Sequence, residues 1–309
     1  MKIEDYGIIG DMHTVGLIGI NGSLDWLCVP RFGSDACFAA LLGNEDHGHW
    51  KICPDGKVTS TRRQYRDSTL ILETEFTTET GTIRLIDFMP VDGSTRDVVR
   101  IVEGVKGEVP MHFSLTIRFD YGRTIPWVRH QEDGSLLAVA GPNALVLRSD
   151  VRLRGENLST VAQFSVKAGE RRKFALTWYH SHEEPPAALD VDAALATTLG
   201  YWEKWAARCT YRGPWREAVL RSLLILKALT YAPTGGIVAA ATTSLPEHIG
   251  GVRNWDYRFC WLRDATFTLY SFMTAGYYEE AKAWSKWLLR AAAGDPSRLQ
   301  IMDGVAGER

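Results

Sequence analysis

Leu17-Ile18-Gly19-Ile20-Asn21-Gly22-Ser23-Leu24-Asp25-Trp26-Leu27 sets Asn-Gly between two apolar runs. That arrangement is the strongest short-range hairpin signal, because Asn and Gly accept the positive φ angles that a tight turn demands. Working outward, Leu70 to Thr77 and Ile83 to Met89 surround Thr80-Gly81-Thr82 and read as a second hairpin. Short strand candidates follow at Asp97 to Val102, His112 to Phe119, Ser135 to Val139, Ala144 to Arg148, Ser159 to Val166 and Arg172 to Trp178. Many short strands with turn chemistry between them predict an antiparallel β-sandwich, expected over residues 1–182. One brief helix is predicted inside it, from Asp35 to Leu42, with Ser34 as its N-cap.

The pattern changes after Tyr179. Glu183-Glu184-Pro185-Pro186-Ala187-Ala188 reads as a charged, proline-bearing linker, and Val191 to Ala207 has helical spacing with Trp202 and Trp205 on one side. Residues 183–212 therefore form a linker with a helix. Gly213-Pro214 opens the next helix, which carries Val219, Leu220, Leu223, Leu224 and Leu226 and ends near Tyr231-Ala232-Pro233. Asp264 to Ala275 is predicted as another, stopped by Gly276, and Glu279 to Ala293 as a further one, stopped by Gly294. Helices joined by a few residues make antiparallel hairpins, the repeating piece of an all-helical barrel or solenoid. Residues 213–309 hold only the start of such a repeat and end in loop-like sequence, so a barrel cut short is expected there; the alternative is a small three- or four-helix domain packed on the sandwich. Trp202, Trp205 and Trp215 fall at helical spacings and are read as core or interdomain packing. The fold class is thus α+β and multidomain.

Bulk properties narrow the function. A chain of 309 residues suggests about two domains. Lys plus Arg number 35 against 37 for Asp plus Glu, a net charge of -2 with neither sign in long runs. Nucleic acid and anionic membrane are therefore excluded as expected partners. Met1 to Gly7 has early acids and no apolar core of a secretory signal, and no later window approaches the run of about eighteen apolar residues that a membrane span needs. A soluble, cytoplasmic protein is expected. Cys28, Cys37, Cys53, Cys209 and Cys260 are odd in number and lack Cys-x-x-Cys spacing, which predicts reduced, mostly buried thiols.

Asn254-Trp255-Asp256-Tyr257-Arg258-Phe259-Cys260-Trp261-Leu262-Arg263-Asp264 packs four aromatic rings and two Arg/Asp pairs into eleven residues. It lies between a glycine-bearing loop and an amphipathic helix. Aromatic rings offer flat apolar faces for the C–H surface of a pyranose, and Arg and Asp offer fixed donors and acceptors for its hydroxyls. The competing reading is a loop whose aromatics pack inward and whose charges pair with each other.

Ala241-Thr242-Thr243-Ser244-Leu245-Pro246-Glu247, Gly250-Gly251-Val252-Arg253-Asn254-Trp255-Asp256-Tyr257 and Trp261-Leu262-Arg263-Asp264 resemble the first substrate-binding loop of glycoside hydrolase family 15. Ile3 to Asp11 and Gly22-Ser23-Leu24-Asp25-Trp26-Leu27-Cys28-Val29-Pro30-Arg31-Phe32 resemble the opening of the N-terminal domain in that family's trehalase-like group. The resemblance covers essentially the whole chain, with two motifs far apart and in the expected order. It implies a β-sandwich (supersandwich) followed by an (α/α)6 barrel, and inverting hydrolysis of α-linked glucosides such as trehalose or α-glucans by two carboxylates.

By motif position the resemblance assigns substrate binding to Tyr257, Trp261, Arg263 and Asp264, with Trp255 and Asp256 as further candidates. Asp264 would accept from two glucose hydroxyls, Arg263 would donate, Trp261 would form an apolar wall, and Tyr257 would lie beside the developing oxocarbenium ion. Trp255 and Asp256 are equally consistent with bracing the loop. Arg263 and Asp264 are equally consistent with a salt bridge at a helix N-terminus, where an acid is stabilising in any protein. The general acid and base belong to later barrel segments not found here and are expected beyond Arg309; Glu308 is read as a pocket-edge or structural residue. No cofactor and no metal are implied. His47-Gly48-His49 and His180-Ser181-His182 have a spacing that metals use, but no third ligand is identifiable. Asp11-Met12-His13-Thr14 is read as interdomain hydrogen bonding or pocket shaping. A disaccharide phosphorylase of similar architecture and a non-catalytic sugar-binding fragment are the rival functions.

Overall fold

The structure is a computed structural model, and it describes the chain except for residues 92, 94, 245, 294–296, 298–299 and 309. The opening hairpin forms as its sequence directs. β1 (Tyr6–Gly10), β2 (Val15–Gly19) and β3 (Ser23–Cys28) run antiparallel, with Leu17 opposite Trp26. Gly22 in the turn has φ +81°, and a Cβ there would meet the Ile52 carbonyl oxygen at 2.3 Å, so only glycine fits. Arg100 donates to the carbonyls of Gly22 and Trp50, while its Nε binds Asp87 at 2.8 Å. Both members of that ion pair are fully buried.

The expected helix from Asp35 to Leu42 does not form. In its place are β4 (Ala36–Phe38), paired to β3, and a single 3-10 turn at Ala40–Leu42. Ala36, Cys37 and Phe38 are all fully buried, so this stretch has no polar face to turn toward water. Ser34 caps no helix; its hydroxyl accepts from the Arg31 amide.

The remaining strands are β5 (His49–Pro54), β6 (Val58–Tyr65), β7 (Leu72–Thr78), β8 (Gly81–Phe88), β9 (Arg96–Thr116), β10 (Trp127–His130), β11 (Leu136–Ala140), β12 (Asn143–Ser149), β13 (Arg154–Glu156), β14 (Ser159–Lys167) and β15 (Arg171–His180). With β1 to β4 they make one fifteen-stranded antiparallel network among the described residues. Its axis is β9, a 21-residue strand that replaces the two separate strands expected at Asp97 to Val102 and His112 to Phe119. The first half of β9 pairs with β8 and β15, and the second half with β5 and β14. The exchange of partners falls at Gly104 to Gly107. A Cβ at Gly104 would meet the Lys167 carbonyl at 2.0 Å, and Gly107 has φ +68°.

Side chains from both halves of the network fill one core. Ile9, Ile18, Leu24, Trp50 and Phe113 join Leu72, Leu85, Val102, Leu145 and Phe174, and Phe113 stacks on Phe174 at 5.3 Å between centroids. Strand alternation directs these residues to one face.

Four α-helices follow among the described residues: α1 (Val191–Ala207), α2 (Arg216–Ala228), α3 (Leu262–Thr274) and α4 (Tyr278–Ala291). None is long and apolar enough to cross a membrane. Asp190 caps α1 by accepting from the amides of Asp192 and Ala193. Gly276 ends α3 with φ +92°, as its sequence position predicts; Gly294, the expected stop of α4, lies outside the described residues. Trp202 and Trp205 are buried, but Trp215 sits at the α2 N-cap with 72% of its surface exposed, against the packing role expected of it. It precedes the first helical turn, at the edge of an open cleft that it lines with Tyr65, Leu220 and Leu224.

Sheet and helices share a second core. Met12, Val15, Phe32 and Leu70 pack with Trp202, Trp205, Leu223, Phe272 and Trp287. The Asp11 to Thr14 turn belongs to this junction. Asp11, 1% exposed, accepts from the amides of His13 and Thr14, the Met12 carbonyl accepts from the Ala232 amide, and the His13 ring meets Tyr231 edge-on. All five cysteines are free, and four of them are buried.

Candidate functional site

Residues 239–244 and 255–259 form an irregular antiparallel ribbon. Ala239 and Ala240 donate to the carbonyls of Phe259 and Tyr257, Ser244 donates to that of Trp255, and Thr243 bridges Asp256. The ribbon leads into β16 (Cys260–Trp261), which pairs with β17 (Met302–Asp303), and then directly into α3. Trp261 is the α3 N-cap in an extended conformation, so Arg263 and Asp264 occupy the first helical turn. There the unpaired amides and the helix dipole favour a negative charge.

Trp261 is the centre of the aromatic group. Its ring is met edge-on by Trp255 at 6.1 Å and by Tyr257 at 5.5 Å, its indole Nε1 donates to the Asp256 carbonyl, and the Arg263 guanidinium carbon lies 5.7 Å from its centroid. Trp261 itself is only 8% exposed, whereas Trp255 is 37% exposed. The solvent-facing ring is therefore that of Trp255, held by an Nε1–H donated to Glu247 at 2.8 Å.

Arg263 donates through Nε and Nη2 to the same oxygen of Asp264, at 3.1 and 2.9 Å. The two charges pair with each other, and both stay within reach of water, with side-chain exposures of 64% and 35%. Among the described residues the other carboxylate oxygen of Asp264 accepts no hydrogen bond, which leaves it open to an incoming hydroxyl.

Asp256 is differently employed. One of its oxygens accepts from the Arg258 amide and Nε, both at 3.0 Å, and the other from Nη2 at 2.7 Å. Arg258 is 6% exposed and turns away from solvent into the N-terminal sheet, where Nη1 donates to the Ser34 carbonyl at 2.9 Å and approaches the Cys28 sulfur at 3.4 Å. Its guanidinium carbon also lies 5.4 Å from the Tyr121 ring and 5.9 Å from that of Trp26. Burial acts to lower the guanidinium pKa, but the hydrogen bonds and charge of Asp256 outweigh it and hold the group firmly cationic. Burial pushes the Cys28 thiol up to about 12, so it is an un-ionised neighbour. Trp26 adds a second tie, donating its Nε1 to the Ala241 carbonyl at 3.0 Å.

Sequence reasoning grouped Arg258 with the sugar-reading charges and did not single it out. The available signal was the two-residue spacing of Asp256 and Arg258, which puts both on one side of an extended segment. Glu308 is held by Arg31 at 2.7 Å and accepts from the Ala306 amide, so it braces the turn at residues 304–308. Burial acts to raise its carboxyl, and those donors with the Arg31 charge bring it below the usual value. A cavity of about 610 Å³ borders the ribbon, but its walls include Tyr6, Leu17, Leu41, Ile225 and Thr243, and neither Tyr257 nor Asp264.

Comparison with known proteins accounts for the two parts of the chain. Residues 1–173 match the family model "Trehalase-like, N-terminal", and residues 213–309 match "Glycosyl hydrolases family 15". The chain is 34% identical to a trehalase of Mycolicibacterium smegmatis, over 99% of this chain and 50% of that protein, and 33% identical to a trehalase of Mycobacterium tuberculosis, over 99% and 49%. A trehalase of Thermoplasma volcanium is 33% identical over 91% of this chain and 46% of its own length. The chain thus spans about half the length of the curated relatives it matches. A solved bacterial glucoamylase complexed with acarbose shares the fold, with a TM-score of 0.69 at 14% identity over 99% of this chain and 52% of that one. Both parts of the sequence, joined through one shared core, carry the marks of a single lineage, and the chain belongs to the trehalase-like group of glycosyl hydrolase family 15.

Proposed function

We propose that this chain supplies the glucose-recognition half of a hydrolase of α-linked glucosides, with trehalose as the first substrate to test. The observation that carries the reading is the solvent-facing Arg263–Asp264 pair at the start of α3, beside the Tyr257–Trp261 ring contact. Asp264, with one oxygen open, would accept from sugar hydroxyls; Arg263 would keep that carboxylate ionised and donate to the same ring. Trp255 and the edge of the Trp261 cluster would cover the apolar C–H face. Tyr257 would face the carbon where positive charge develops, which a phenol oxygen stabilises.

In this reading residues 1–182 are a β-sandwich, 183–212 a linker with a helix, and 213–309 the first part of an (α/α)6 barrel. An exposed stripe of Phe267, Tyr270 and Met273 on α3 supports it, since barrel helices bury such faces against neighbours. The general acid would protonate the leaving oxygen and the base would activate water on the opposite face, the two carboxylates standing about 6.5–9.5 Å apart to admit that water. We assign both to sequence equivalent to the half of the relatives that this chain does not span. Calorimetric titration with trehalose tests the recognition role: saturable binding lost in Asp264→Asn supports it, and identical behaviour of the two proteins rejects it.

A further inference from the structure

We infer that Arg258 is a positioning residue for sugar recognition, and that the N-terminal sheet acts through it as a working part of the site. The inference rests on the proposed sugar-binding role of Tyr257 to Asp264. Arg258 is flanked on both sides in sequence by candidate sugar contacts, yet all its bonding is directed inward. Two of its nitrogens hold Asp256 of its own loop, and a third holds the Ser34 carbonyl 224 residues away. Asp256 in turn offers its backbone carbonyl to the Trp261 indole, the centre of the aromatic group.

A chain of contacts therefore runs from the sheet to the ring cluster: Ser34 carbonyl, Arg258, Asp256, Trp261, and from there Tyr257 and Arg263. The planar fork of arginine is needed at its head, because one group must bind a carboxylate bidentately and a carbonyl on its far edge. Trp26 ties the opposite ribbon strand through Ala241 independently. Cutting the chain at Arg258 releases the loop from its docked geometry without touching a sugar-contacting atom. If only about a tenth of molecules then hold the docked loop, apparent sugar affinity falls about tenfold.

The test uses the 309-residue chain in three forms: wild type, Arg258→Ala and Trp26→Phe. Amide exchange across residues 255–264 is measured without sugar, and trehalose affinity is measured by tryptophan fluorescence. Expected are faster exchange in that segment for Arg258→Ala, a smaller effect for Trp26→Phe, trehalose binding weakened about tenfold in Arg258→Ala, and partial recovery when millimolar guanidinium, but not urea, is added. A side chain needed only for global stability would give no such recovery. Unchanged exchange and affinity in both variants would overturn the inference. Should Arg258→Ala fail to fold, Arg258→Lys decides: it keeps the charge and most of the buried stem but loses the planar fork, so wild-type exchange and affinity in it would overturn the inference. Should the wild type bind no trehalose, the sugar reading fails, while the exchange data still support or overturn the docking role.

Discussion

Arg263 places two nitrogens on one oxygen of its sequence neighbour Asp264 and, among the described residues, the other oxygen of that carboxylate stays open. An adjacent pair of this kind is rigid on one side and available on the other. Replacing Arg263 by alanine should leave the fold intact, because 64% of the side chain is already in solvent. Sugar affinity should fall about 10- to 100-fold, the range of a lost hydrogen bond involving a charged group. Thermal unfolding and trehalose titration of Arg263→Ala, run in parallel, separate the two effects.

Glu280 of α4 is 4% exposed and ties three helices together. It accepts from the Trp205 indole of α1 at 2.8 Å and pairs with Lys227 of α2 at 3.2 Å and with Arg208 at 3.4 Å. Burial acts to raise its carboxyl, but Lys227, the indole and Arg208 outweigh that and bring it below the ordinary 4.5. Lys227 also goes down, because there burial outweighs the carboxylate. A depressed carboxyl contributes stability that is present above the unfolded pKa and lost as pH falls through the folded one. Urea unfolding from about pH 6 to 3 should therefore show a falling stability in wild type and a flatter slope in Glu280→Gln. Parallel slopes would remove Glu280 from the acid limb.

Arg100→Met should cost about 3–5 kcal/mol, because it leaves the fully buried Asp87 without its cation. Burial already pushes the Asp87 carboxyl up against the pull of Arg100, so the unpaired group would take a proton. The double change Arg100→Met with Asp87→Leu should recover part of the loss, since no charge is then buried. Recovery stays partial, as the Gly22 and Trp50 carbonyls have still lost their donor. Denaturant midpoints should rank wild type, double, single; equal values for single and double would contradict the account.

What the sequence disclosed follows from which forces act locally. The Asn21-Gly22 turn and the Gly276 stop are decided within a few residues, and they stand where the pattern puts them. The stretch Ala36–Phe38 is helical by spacing, yet it is buried on every side and joins the β3 edge. β9 was hidden because Gly104, Gly107 and Pro110 read as breaks, although they mark the exchange of partner strands. β1, β5, β6, β10, β13, β16 and β17 lie outside the strands expected from sequence; β10 is exposed along its whole length and lacks the alternation that marks a strand. At the site, composition grouped the charges of Asp256, Arg258, Arg263 and Asp264 together. It did not separate Arg258, turned into the sheet by contacts over 200 residues distant, from Arg263, turned out to solvent.

The 309-residue chain should release no glucose from trehalose or maltose above background. Among the described residues the acidic groups beside the aromatic cluster are Asp264, paired with Arg263, Asp256, held by Arg258, and Glu247, held by the Trp255 indole and Arg253, while Glu308 is held by Arg31. A coupled glucose assay checks this, and measured turnover would require a carboxylate pair within this chain.

The most direct measurement of the central claim is a trehalose titration followed by the indole N–H resonances of Trp255 and Trp261, in wild type and in Asp264→Asn. The account predicts saturable shifts at both indoles in wild type and their loss in Asp264→Asn, with the fold of the variant unchanged. Shifts that survive in Asp264→Asn, or a wild type whose indoles do not respond to trehalose, would contradict it.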